Sequence, residues 1–272
     1  MIRLIALDLD GTALNPAGAF SARTRRVLAR AAARGIQVVA ASGRPFRSLP
    51  DCLWQVKGLE YAVCSNGAAV YRLTDKTCLH RSCLAPEQVL ALLDWMEAYP
   101  AALEGAVEGE AYADQSYVED PTAFGAPEAA VPYIRKTRRP VPDIRVFLRE
   151  NRERLDAVDI ITPDPAFKQM IQEELSRWNG LYVTSSVPHL VELASGEAGK
   201  APALAWLARQ LSLRRSEIIA FGNAENDVDM LRFAGTGVAM GNSPDLVKQE
   251  ADLVTSDNAH DGVAEVLERY GI

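Results

Sequence analysis

The chain has 272 residues, 48% hydrophobic and 24% charged, enough apolar material for one large domain or two smaller ones. Its net charge of −7 is the opposite of a nucleic-acid footprint. No apolar run reaches the ~18 residues needed to cross a bilayer, so neither nucleic acid nor membrane is expected as a partner.

In chain order, residues 2–7 predict a buried strand, short, mostly apolar and ended by turn chemistry. Ser21 suits the cap of a helix through Arg34, with Gly35 as its stop. Residues 36–41 and 61–64 predict two further buried strands, and Asn66-Gly67 signals a hairpin into a strand over 69–73. A helix is expected over 86–99, then an irregular stretch, strands over 145–148 and 158–162, a helix over 165–178 and a strand over 181–185. The last third alternates again: helix 201–210, strand 217–221, helix 227–234, strand 237–240, and helices 244–250 and 259–269. Alternation at both ends implies an α/β parallel sheet with helices on both faces. The middle has a different character and reads as an inserted α+β domain, residues 84–187, within a core of 1–83 and 188–272. Hinges are expected near 82–86 and 185–189. The basic run Arg135-Lys136-Thr137-Arg138-Arg139 reads as a solvated loop, and Met230 and Met240 as core packing.

Asp8 and Asp10 interrupt the only early apolar run, so the start lacks the shape of a signal peptide. The cysteines Cys52, Cys64, Cys78 and Cys83 have neither zinc spacing nor a Cys-x-x-Cys pair, and the three histidines are scattered. A reduced, cytoplasmic protein is expected.

Four clusters fall at predicted strand ends or in nearby loops: Asp8-Leu9-Asp10-Gly11-Thr12, Ser42-Gly43-Arg44, Lys200 and Gly222–Asp227. In parallel sheets, sites gather at the carboxyl ends of strands. Their chemistries are complementary: carboxylates for a divalent cation, a Ser/Gly corner for phosphate oxygens, and a lysine as a point charge. Taken singly, each has a plainer reading as a turn, a surface residue or a helix cap. An EF-hand loop does not fit, because the twelfth position from Asp8 is Ala19.

Together, in order, the clusters resemble the haloacid dehalogenase superfamily, and within it the Cof-type sugar-phosphatase-like group. The resemblance extends through Gly237-Val238-Ala239-Met240-Gly241-Asn242-Ser243 and Asp261-Gly262-Val263-Ala264. It implies a Rossmann-like parallel sheet core with an inserted cap, and a magnesium-dependent phosphatase acting on a small phosphorylated metabolite, as a monomer or homodimer. By the same resemblance Asp8 is the nucleophile and Asp10 the acid/base, a role that burial of its carboxyl would favour. Thr12, Ser42, Gly43, Arg44, Lys200 and Asn226 become substrate-binding candidates. Asp8, Asp10, Asn223 and Asp227 become the Mg2+ candidates, and Asn226 and Asp227 are also expected to orient the metal-bound water and Lys200. The larger cap would select the leaving group, with Tyr112, Tyr117, Phe124 and the Arg135–Arg139 run as candidate contacts.

The chain departs from the family pattern at Asn223, where an aspartate is usual, and at Ala201, where glycine is common. An amide is a neutral oxygen ligand, so the first change removes a formal negative charge from the metal site. Two alternatives remain: a phosphosugar mutase, and a non-catalytic phosphate-ligand binding protein with an altered metal site. A dinucleotide-binding oxidoreductase does not fit, because the first strand leads into Asp-x-Asp-Gly rather than Gly-x-Gly-x-x-Gly.

Overall fold

The computed structural model describes residues 1–272 and divides into two compact units. One comprises Met1–Gly43, Leu49–His80 and Gly199–Ile272; the other, Arg44–Ser48 and Arg81–Ala198. The chain begins with β1 (Leu4–Leu7), α1 (Ala22–Ala33), β2 (Gln37–Ala41), β3 (Leu59–Cys64), β4 (Ala69–Arg72) and β5 (Thr77–Arg81). The second unit follows with α2 (Pro86–Trp95), β6 (Ala102–Val107), β7 (Glu110–Asp114), α3 (Gln115–Glu119), α4 (Val131–Thr137) and β8 (Arg138–Val141). It continues with α5 (Ile144–Glu150), β9 (Leu155–Ile161), α6 (Pro165–Leu175), β10 (Leu181–Thr184) and β11 (Leu190–Ser195). The first unit is then completed by α7 (Lys200–Gln210), β12 (Ile218–Gly222), α8 (Val228–Phe233), β13 (Thr236–Ala239), α9 (Asp245–Gln249), β14 (Leu253–Val254) and α10 (Gly262–Arg269).

The first sheet has the order β14-β13-β12-β1-β2-β3-β4-β5. From β14 to β3 its neighbours are parallel, and β4 turns back antiparallel on β3. β1 lies near the middle, and all four of its residues are fully buried, as a strand covered on both faces requires. One face packs on Leu204 and Leu207 of α7 and on Met230 and Leu231 of α8. α1 begins where Ser21 accepts a hydrogen bond from the Thr24 N–H, and stops at Gly35, whose φ is +75°.

The second sheet has the order β10-β11-β9-β6-β7-β8 and is antiparallel except for the β7–β8 pair. Strand alternation sends Val158 and Ile160 of β9, with Leu103 and Leu193, into an apolar core shared with α2, α5 and α6. On the opposite parity, Asp159 lies between Glu104 of β6 and Glu192 of β11 in direct register.

Several expectations change. Residues 145–148 lie in α5, not a strand: the Asp143 side chain caps it by accepting from the Val146 N–H at 3.0 Å. The irregular stretch holds β6, β7, α3, α4 and β8. β11, expected in the core, pairs on both sides within the second sheet, so 185–189 joins two strands of one unit and is no hinge. The basic run ends α4 and starts β8, with the Arg138 side chain buried against Glu104, so it is not a solvated loop.

Candidate active site

β12, β1 and β2 lie side by side and point the same way. Their carboxyl ends therefore deliver Asn223, Asp8 and Ser42 to adjacent positions. Asp8 is registered by its N–H, which donates to the Phe221 carbonyl at 3.0 Å. The chain then turns sharply: the Thr12 and Leu14 N–H groups both donate to the Leu9 carbonyl, and that of Ala13 to Asp8. Gly11 sits in this turn at φ +80°, and a Cβ there would lie 2.6 Å from the Asn223 side-chain nitrogen. Glycine thus serves both the left-handed turn and the approach of Asn223. From the far side, Asn242 donates to the Gly11 carbonyl at 2.9 Å and Asn258 to the Leu14 carbonyl at 2.7 Å.

Lys200 opens α7 and is fully buried. Its Nζ donates to Asp8 Oδ1 at 2.8 Å and to Asp227 Oδ1 at 2.6 Å. Burial works against the ammonium, but the two carboxylates outweigh it and hold Lys200 above its ordinary range. Burial also pushes the Asp8 carboxyl up to about 7; Asp227 adds to the rise and Lys200 opposes it. Two carboxylates share one ammonium out of water, which leaves negative charge in excess.

Asp227 is otherwise engaged: its Oδ2 accepts from the N–H groups of Asn223 at 2.8 Å and Ala224 at 3.0 Å. With one oxygen on Lys200 and the other on two amides, this carboxylate fixes the lysine and the Asn223 loop. Of the two roles expected for it, the contact with Lys200 is the one seen here. Gly222 makes room for it, since a Cβ there would meet the Asp227 Cβ at 2.4 Å.

Asn223 reaches across to the first motif. One atom of its side-chain amide lies 2.8 Å from the Asp10 carbonyl oxygen, 2.8 Å from Thr12 Oγ1 and 3.1 Å from Asp8 Oδ2. With oxygen in that position, Thr12 donates to it. Three hard oxygens then converge: a carboxylate, a backbone carbonyl and an amide. Neighbouring ligands of an octahedral magnesium lie about 2.9 Å apart, from metal–oxygen distances of about 2.0–2.1 Å. These residues fit such an ion, although no three His, Cys, Asp or Glu side chains gather to hold a metal. The Asp10 side chain is exposed, so the burial expected for it is not there.

Ser42 is buried, its N–H donating to Val63 at 2.9 Å, and Gly43 follows it. Asn226 donates to the side chain of Asn66 at 2.8 Å. Asn66 in turn donates its N–H to the Ser42 carbonyl at 3.2 Å and accepts at its own carbonyl from Gly199 at 2.9 Å. Asn66, at φ +51°, therefore ties the second, third and fourth clusters together. Asn-Gly announced the turn; nothing local announced these contacts. Asp229 was missed as well: it accepts from the Ala201 N–H at 3.1 Å and so holds the end of α7 that carries Lys200. Arg44 groups with the second unit, its guanidinium 4.1 Å from the centre of the Tyr133 ring and donating to the Ser48 carbonyl.

In the second unit, the row Glu104–Asp159–Glu192 crosses three adjacent strands, and Arg138 pairs with Glu104 at 2.8 Å. Burial holds the Asp159 carboxyl well above its ordinary range; Glu104 and Glu192 add to this and Arg138 opposes it. Of the other candidates, Tyr112 packs on Phe147 and Tyr117 on Phe124, in apolar clusters, so all three serve the core. Arg135 is taken up by the carbonyls of Val118 and Glu119, and Arg139 by Glu110.

A family model described as haloacid dehalogenase-like hydrolase matches residues 5–267. The chain is 30% identical to the Escherichia coli pyridoxal phosphate phosphatase YbhA, over 97% of each chain. It is 31% identical to the Bacillus subtilis 5-amino-6-(5-phospho-D-ribitylamino)uracil phosphatase YitU, over 98% of this chain and 97% of the other. The solved structure of a haloacid dehalogenase-like hydrolase from B. subtilis superposes with a TM-score of 0.85 at 26% identity, over 98% of this chain and 99% of that one.

Proposed function

Because this chain belongs to the haloacid dehalogenase-like hydrolases, in their Cof-type group, and is a phosphatase, we propose that it hydrolyses a small phosphomonoester with magnesium through an aspartyl-phosphate on Asp8. The observation that carries this reading is the division of the Asp8 carboxylate. One oxygen meets the Lys200 ammonium and the other faces the oxygen cluster of Asp10 and Asn223. Asp8, the Asp10 carbonyl and Asn223 would hold the ion. When bound, magnesium offsets the repulsion between a carboxylate nucleophile and an anionic phosphate.

An Asp8 oxygen attacks phosphorus, and the bond from phosphorus to the leaving oxygen breaks. Asp10, exposed to solvent, gives that oxygen a proton. It then takes one from the water that attacks the aspartyl-phosphate, releasing phosphate and restoring Asp8. Thr12, Ser42, the Gly43 amide and Lys200 hold the phosphoryl oxygens, with Lys200 already charged and fixed before substrate arrives. Asn226 acts through Asn66, and Asp227 through Lys200.

The second unit serves as the cap that selects the leaving group.

The test is release of phosphate from p-nitrophenyl phosphate with and without magnesium, wild type against Asp8→Asn. Magnesium-dependent release that falls by about 10³-fold or more in the variant is expected. Equal release from both proteins would remove Asp8 from the chemistry.

A further inference from the structure

We infer that Asn223 is a two-way stopper for the metal position, its amide nitrogen closing the site when no cation is bound and its amide oxygen ligating when one is. This rests on the reading above that a divalent cation binds beside Asp8.

The inward atom of the Asn223 amide touches three groups, and their chemistry divides them. The Asp10 carbonyl and Asp8 Oδ2, at 2.8 and 3.1 Å, can only accept hydrogen bonds. Without a cation they require a donor, and the amide nitrogen provides two N–H bonds. Thr12 Oγ1, at 2.8 Å, donates to the inward atom when that atom is oxygen; when it is nitrogen, Thr12 shares one of the two N–H groups and turns its own hydrogen away. A half-turn about the last side-chain bond exchanges nitrogen for oxygen and leaves the heavy atoms where they are. The residue thus changes from donor to ligand without displacing its surroundings.

An aspartate at this position behaves differently. Its carboxylate would stand about 3 Å from Asp8 Oδ2, next to a buried pair already one ammonium short. Such a site needs its cation in order to be stable. With asparagine it is stable empty, and magnesium must displace the inward N–H groups before it binds. The expected result is weaker magnesium binding together with a sturdier metal-free protein. Lys200 and Asp227 keep their contacts in both states, because neither depends on the amide's orientation.

Two properties are measured on wild type, Asn223→Asp and Asn223→Ala: magnesium affinity by titration calorimetry, and melting temperature in EDTA. Asn223→Asp should bind magnesium about ten-fold more tightly, through the added ligand charge, yet melt below wild type without metal. Asn223→Ala should also melt below wild type without metal, but gain no affinity. In wild type, the Asn223 side-chain NH2 resonances, identified by their loss in the variants, should be protected from exchange in EDTA and shift on magnesium addition. If both substituted proteins melt at or above wild type in EDTA, or if those resonances ignore magnesium, the stopper is overturned while the metal reading stands. If no protein takes up magnesium, both fall.

Discussion

At the scale of single residues, the site depends on a buried ammonium that two carboxylates share. Lys200→Met keeps the volume and removes the charge, leaving Asp8 and Asp227 facing each other without a cation. Stability in urea with EDTA should fall by ~3–5 kcal/mol; a loss under about 1 kcal/mol would mean that the carboxylates relax apart at little expense. The joint occurrence and order of the clusters, with the family they resemble, singled out Asp8, Lys200 and Asn223; taken one by one, each reads as a turn, a surface residue or a cap. For Asp227 they left two roles open, metal ligand and partner of Lys200. A buried aspartate can ligate a metal or hold a lysine, and only the partners of its two oxygens decide which. Asn66 was legible as a turn but not as the junction of three clusters, since its contacts come from residues 42, 199 and 226.

At the scale of elements, the parallel strands of the first unit were readable because burial on both faces writes them as continuous apolar runs. The strands of the second sheet were not. β6 (Ala-Leu-Glu-Gly-Ala-Val) and β7 (Glu-Ala-Tyr-Ala-Asp) are mostly small and acidic residues with few large apolar ones, too weak a signal to separate from loop. α5 misled in the other direction: Ile144, Val146 and Phe147 suggest a strand, while the Asp143 cap makes the segment helical. Near the start of β11, burial together with Lys168 and Arg138 holds the His189 imidazole down to about 4, against 6.5 when unfolded. Between these values the unfolded chain binds more protons, so stability is full above about pH 6.5 and is lost as the pH falls toward 4. His189→Gln should lose less on acidification, and the melting-temperature advantage of wild type should shrink from pH 7 to pH 4. A difference independent of pH would show that His189 stays neutral in both states.

At the scale of the whole molecule, each unit has its own sheet and its own apolar core. Scanning calorimetry should therefore resolve two cooperative transitions, and magnesium should raise only the one that contains Asp8. A single transition that shifts as a whole would mean the units unfold together.

The place of β1 in the sheet bears on how the chain is made. It is the earliest strand in the sequence, yet one of its two neighbours is β12, more than two hundred residues later. As the chain emerges from the ribosome, β1 pairs with β2 and presents an apolar open edge until residue 222 appears. The second unit is complete by residue 198 and can fold during that interval. Folding of the first unit is therefore a late event that closes a long loop around finished structure. Until it closes, the edge of β1 is the segment most in need of protection from other chains.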